Sequence, residues 1–261
     1  MHSLSLFEIL GLTLSAVGAG VINAVAGGGT LLTFPALLFF GTPSVVANAT
    51  STLALVIGTA GGAVGNRQHL SAIKSLLWRF MPASLLGGLI GSMILTHTSN
   101  RTFSKFVPFL ILFATVLFLL QGVFRKFAGS RPEQTTMASR RQIWGAIFFQ
   151  FLVSIYGGYF GAGIGILMLA TLGFMGMHNI YQMNALKTSL GSVINCVAAL
   201  WFVMAGLIDW PRMGIMSLGA LLGYYLGSHY SQRIPPARVR QLITLIGLVL
   251  AAIMFYQQFV R

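Results

Sequence analysis

The sequence predicts an all-α polytopic membrane bundle made of two inverted repeats, and three observations carry that expectation. Hydrophobic residues make up 56% of the chain and charged residues 7%, far from the roughly quarter-charged makeup of soluble domains. Apolar runs such as Phe106 to Phe124, Ile143 to Phe160 and Leu242 to Phe259 approach the roughly 20 residues that cross a bilayer as helix. They lack the strict alternation of barrel strands. The chain also repeats itself: Gly27-Gly28-Gly29-Thr30 is answered by Gly161-Ala162-Gly163, and Asn48-Ala49 by Asn184-Ala185. Gly29 and Gly163 stand 134 residues apart and Asn48 and Asn184 136 apart, and Gly87, Leu89, Gly91 and Ser92 recur 136 later as Gly223, Tyr225, Gly227 and Ser228. Paired interruptions at corresponding points of two repeats are the best sequence pointer to a transport site.

Taken in order, the first repeat, 1–124, contains Phe7 to Ala26, the glycine break, the short Leu31 to Phe40, then Ala47 to Val64, Leu76 to Leu95 and Phe106 to Phe124. A basic cytoplasmic linker, 125–142, follows. The second repeat, 143–261, contains Ile143 to Phe160, the second break, the short Ile164 to Met175, then Leu186 to Leu207, Met213 to Tyr230 and Leu242 to Phe259. This makes about eight full transmembrane helices plus two short segments. The short ones rise only about 15–18 Å as helix, half a bilayer, so they are re-entrant or halves of broken helices. Irregular backbone at that depth must be enclosed by protein or line a cavity. Met1 to Phe7 carries no Lys or Arg, so the first segment reads as retained despite the cleavage-like Ala24-Val25-Ala26.

The net charge of +13 would suggest nucleic acid in a soluble protein, but cytoplasmic loops of membrane proteins collect Lys and Arg. If each short segment carries the chain across, the repeats are inverted. Twelve basic residues then group toward the cytoplasm: Arg67, Lys74, Arg79, Arg125, Lys126, Arg131, Arg140, Arg141, Lys187, Arg233, Arg238 and Arg240. Only four, Arg101, Lys105, Arg212 and Arg261, fall outside. Parallel repeats divide them ten to six, so the inverted arrangement is favoured.

Candidate site residues cluster at the breaks and at the helix starts after them. Glycine permits backbone angles closed to other residues and lets a ligand approach the chain closely. The half-helix that follows points its N-H groups and positive dipole end at the same spot, which suits an anion. Gly27, Gly28, Gly29, Gly161 and Gly163 are therefore candidate binding positions, with close helix packing as their structural alternative. Thr30 can cap the half-helix or donate its hydroxyl, and Asn23, four residues before Gly27, reads as a ligand group or as a helix-helix hydrogen bond. Asn48, Thr50 and Ser51 bring an amide and hydroxyls to the next helix. Asn184, Lys187 and Thr188 repeat them with an added charge. Lys187 reads as a functional residue or as a side chain snorkelling to the interface. Arg67 is a candidate gate or part of a basic loop. The acids are Glu8, Glu133 and Asp209 alone, none central, so the cargo expected is an anion. His2, His69, His97, His178 and His229 show no metal-ligand spacing and no metal or cofactor is expected. The single Cys196 reads as a small packing residue. No Walker motif, catalytic triad or dinucleotide loop can be assembled, so the chain is not expected to be an enzyme.

The run Asn23 to Thr30, with Phe34-Pro35-Ala36-Leu37 and Ala47 to Ser51, resembles the TauE/SafE sulfite exporter family, also called the toluenesulfonate uptake permease family. Gly157 to Gly163 and Asn184 to Lys187 resemble that family's second repeat. Leu186-Lys187 stands where the first repeat has Thr50-Ser51, a departure from symmetry. The resemblance implies a cell inner membrane permease moving sulfite, a sulfonate, sulfoacetate or a related sulfur-containing anion. Its expected partners are that small anion and membrane lipid, with a homodimer as a permitted assembly and no nucleic acid. The alternatives from other classes are a membrane accessory or anchoring protein without a transport cycle, and an anion channel.

Overall fold

The computed structural model describes residues 4–25, 28–65, 70–129, 140–175, 177, 179–230 and 236–259. Among them lie ten helices: α1 Leu6–Val25, α2 Thr30–Phe39, α3 Ser44–Gly65, α4 Leu70–Thr96, α5 Asn100–Gly129, α6 Arg140–Tyr159, α7 Ile164–Phe174, α8 Ile180–Met204, α9 Trp210–Tyr230 and α10 Pro236–Phe259. Each expected apolar segment corresponds to one helix. Several ends move outward, because helix continues past the apolar run into polar residues. The starts of α4, α5, α8 and α10 each fall six residues before the expected apolar run, α8 beginning at Ile180 rather than Leu186. Asn179 caps it, its Oδ1 accepting from the N-H groups of Tyr181 at 3.0 Å and Gln182 at 3.2 Å. Gly27 and Arg67 lie outside the described residues, as does the middle of the linker, 130–139.

Among the described residues, five stretches are long and apolar enough to cross a membrane: Leu6–Ala24, Ile73–Thr96, Asn100–Leu120, Tyr181–Met204 and Gln241–Gln258. Thr30–Phe39, Ser44–Thr59 and Ile164–Gly173 are shorter apolar helices. The outer surface is apolar as well as the core: Leu14, Phe106, Leu119, Leu200, Leu218 and Leu245 face outward, and Thr33, Thr50, Ser51, Ser84, Gln150 and Ser154 are buried among the apolar core residues. Lipid tails are as apolar as leucine, so helices in a membrane associate through close packing and interhelical hydrogen bonds instead. Gln150 supplies one such bond, donating to Ser84 Oγ at 3.0 Å between α6 and α4.

The close packing comes from the recurring glycines. Gly87 and Gly91 of α4 rest on the backbone of Phe151 and Ile155 in α6, while Gly223 and Gly227 of α9 rest on Val17 and Val21 in α1. Both pairs of contacts climb together, so α4 runs parallel to α6 and α9 parallel to α1. Phe151 and Ile155 stand 134 residues after Val17 and Val21, and Gly223 and Gly227 stand 136 after Gly87 and Gly91. The two crossings therefore use equivalent residues.

The wider packing has the same form. α1 packs on α9 and α6 on α4; α3 packs on α9 and α8 on α4; α2 touches α1, α3 and α10, as α7 touches α6, α8 and α5. α5 meets α10 and α3 meets α8. All of these pairings survive when the helix number is moved by five. A consequence is exchange: α4 is housed among helices of the second half and α9 among those of the first.

Polar cross-links identify the ends that share one face. Arg212, at the start of α9, binds Glu8 near the start of α1 at 2.7 Å and the Phe40 carbonyl after α2 at 3.3 Å. Val45 at the start of α3 donates to Asn100 Oδ1 at the start of α5, 2.9 Å away. Trp201 and Thr96, near the ends of α8 and α4, meet at 3.3 Å. Thus α1, α3, α5 and α9 leave this face, and α4 and α8 arrive at it. α6, parallel to α4, arrives there too and so runs opposite to α1.

Candidate functional site

The first break is closed by its own helix. The carboxamide oxygen of Asn23 accepts from the N-H groups of Gly28 at 2.9 Å and Gly29 at 2.8 Å. The side chain is thus folded back over the break. Gly28 has φ +123° and lies against the Phe118 ring, so enlarging it strains the backbone and the packing together. Asn23→Ala leaves two amides without their acceptor. The expected loss is about 1–3 kcal/mol of stability, read as a lower Tm in detergent, whereas Asn23→Asp, which keeps the acceptor, retains most of it.

The second break is built differently. Gly161 and Gly163 take φ +83° and +81°, and the position 134 residues after Asn23 is Gly157, which has no side chain to offer. Ala162 and Gly163 are buried, and among the described residues their N-H groups have no hydrogen-bond partner. The Ala162 carbonyl accepts from the Tyr156 hydroxyl at 2.8 Å. A methyl group at Gly163 would sit 3.3 Å from Leu117 and 3.7 Å from Ala114. Since Gly28 lies on Phe118, both breaks reach the same turn of α5.

The polar residues of α3 point three ways. Asn48, 1% exposed, donates Nδ2 to the Tyr159 carbonyl at 3.1 Å, at the edge of the second break, and its Oδ1 has no partner among the described residues. Ser51 pairs with Thr33 of α2 at 2.6 Å. Thr50 turns to α9 and accepts from the Asp209 N-H at 3.0 Å. Thr30 opens α2 and is half-buried.

On α8 the matching residues stand more open. Asn184, Thr188, Gly191 and Asn195 follow at steps of four, three and four and so share a helix face, with Lys187 beside them. All five are half-buried. A methyl group at Gly191 would meet nothing within 4 Å, while one at Gly165 would lie 3.2 Å from Lys187 Cδ. The lysine stem thus runs past the first turn of α7, inside the helix rather than in a loop.

The charges are unevenly resolved. Arg212 holds both Glu8 and Asp209, at 2.7 and 2.6 Å. Among the described residues Lys187 has no carboxylate or hydrogen-bond partner, and no three His, Cys, Asp or Glu side chains gather as metal ligands. Reading the residues in order missed Thr33, Phe118, Tyr156 and Asn195. Asn195 was legible, eleven residues after Asn184 on the same face, whereas Phe118 and Tyr156 look like ordinary apolar positions until the helices are assembled.

Comparison with known proteins agrees with this architecture. The family model described as sulfite exporter TauE/SafE matches residues 12–254. A probable membrane transporter protein of Haemophilus influenzae is 28% identical over 245 residues, 92% of this chain and 91% of the relative. The probable membrane transporter protein ORF9 of Sinorhizobium sp is 25% identical over 96% of this chain and 94% of its own. The probable membrane transporter protein YfcA of Escherichia coli K12 is 25% identical over 92% of this chain and 87% of its own. No solved structure matches. With the helix pattern and the family match covering nearly its whole length, the chain is a membrane transporter and belongs to the TauE/SafE sulfite exporter family.

Proposed function

We propose that this chain is a permease of the cell inner membrane that moves a small sulfur-containing oxyanion, such as sulfite, a sulfonate or sulfoacetate, by alternating access between two inverted repeats. Each repeat contributes four long crossings and one half-helix. The 134 and 136 spacing of the glycine crossings, the exchange of packing partners and the opposed courses of α1 and α6 support the repeats. The single observation that carries the anion is Lys187, a cation inside the bundle without a carboxylate partner among the described residues. An ionisable residue in a membrane bundle is costly unless it serves a substrate or finds a partner. An interior-negative potential favours anion exit by about 2.3 kcal/mol per charge per 100 mV, so export requires no coupled ion.

Alternating access is supported by the unequal exposure of equivalent residues. Asn48 and Ser51 are 1% and 0% exposed, while Asn184 and Lys187, 136 residues later, are half-buried. Rocking one repeat against the other exchanges these environments. The test uses Ser51→Cys and Thr188→Cys, each in a chain with Cys196→Ser, labelled by a water-soluble thiol reagent with and without a sulfite gradient. Reciprocal changes in labelling are expected. Simultaneous labelling of both positions regardless of sulfite would indicate a continuous pore and overturn alternating access.

A further inference from the structure

We infer that the two breaks are not equivalent seats: the second break alone receives the anion, and at the first Asn23 occupies the ligand's position permanently. This rests on the transport reading above. At the first break the Asn23 carboxamide oxygen accepts from two consecutive amides, Gly28 and Gly29, at 2.9 and 2.8 Å. An oxyanion oxygen would make the same contact at a half-helix N-terminus. The residues 134 later are Gly157 in place of Asn23, and Ala162 and Gly163 in place of Gly28 and Gly29. There the acceptor is missing while the donors persist, buried and without partners among the described residues. Buried orphan amides are rare in folded proteins.

A separate observation points to the same place. Asn48 is 1% exposed and anchored to the Tyr159 carbonyl beside the break, yet its Oδ1 has no donor among the described residues. The carbonyl fixes which way the amide faces, since turning it over would set two acceptors together. Lys187 then supplies the charge, its stem alongside Gly165 in the first turn of α7. The cradle offers two N-H donors, a cation and one acceptor. A ligand matching all of them is an oxyanion with at least two free oxygens and one hydrogen-bond donor, either a hydroxyl of a singly protonated acid or a water it carries.

The experiment measures backbone hydrogen exchange of the native chain in detergent, with and without sulfite, alongside sulfite flux of Gly157→Asn and Gly157→Ala in liposomes. Sulfite is expected to slow exchange at 160–166 at least tenfold and to leave 28–32 unchanged. Gly157→Asn is expected to close the second break as Asn23 closes the first and to lower flux at least tenfold. In Gly157→Ala the atoms nearest the added methyl are side-chain carbons of Ile194 at 2.9 Å and Ile164 at 3.4 Å, which can shift where backbone could not, and the variant should retain flux within about threefold. Protection at both breaks, at the first alone or at neither in a chain that transports sulfite would overturn this inference and leave the transport reading standing. Equal loss in Gly157→Ala and Gly157→Asn would also count against it. Protection at 160–166 without flux would sink transport and keep the seat.

Discussion

Lys187→Gln is expected to remove saturable anion flux without unfolding the protein. The lysine makes no ion pair or hydrogen bond with the described residues, so the fold loses no partner when its charge goes. Placing a lysine at the centre of a membrane helix costs about 2.5–3.5 kcal/mol on insertion scales, so the neutral variant should melt at the same temperature or higher. A hydrogen bond to a charged group contributes about 1.5–3 kcal/mol, and its loss corresponds to roughly tenfold to over a hundredfold weaker anion binding. Lys187→Arg keeps the charge on a longer, planar head and should recover part of the flux. Opposite movements of flux and Tm separate a ligand-facing lysine from a structural one. A lysine that merely reached the interface would change neither by much.

The second large effect is on assembly. Gly91 and Gly223 lie directly on the backbone of Ile155 and Val17, and backbone cannot swing aside as a side chain can. Gly91→Ala and Gly223→Ala should each push a parallel helix pair apart and cost toward the upper end of the roughly 1–3 kcal/mol typical of overpacking, or more. Because the two crossings are equivalent, the two losses should be similar in size. Gly214→Ala on α9, where an added methyl meets nothing within 4 Å, should be neutral or stabilising by up to about 1 kcal/mol, as expected when glycine leaves a helix. The comparison is read from Tm and from the folded fraction recovered in detergent. A large loss in Gly223→Ala with none in Gly91→Ala would contradict the equivalence.

The helices were legible in the residues because membrane helices announce themselves by apolar length, and the break motifs because they recur at nearly the same spacing, 134 to 136 residues. The glycine crossings were visible as a repeat, although their purpose needed the partners: Val17 and Phe151 carry no mark that a glycine will rest on them. The exchange of α4 and α9 between halves was not legible, since no local signal says which distant helix will cover a face. The spacing of Asn184, Lys187 and Thr188 put them on neighbouring positions of one helix, as α8 has them, but the start of α8 was set too late because Asn179 was not read as a cap. Asn23 stood out as a polar group beside a glycine break, yet its use as an internal acceptor depends on a reach of five and six residues that periodicity does not encode. Thr50 looked like a neighbour of Ser51 in chemistry as in sequence. One residue of helix rotates a side chain by about 100°, and that rotation sends it to Asp209 instead.

The most direct measurement is sulfite flux through the purified native chain in liposomes under an imposed potential. The account predicts flux that saturates with sulfite and speeds up when the potential drives anions in the measured direction. Sulfite and sulfonate movement no faster than in protein-free liposomes, from protein that melts cooperatively, would contradict it.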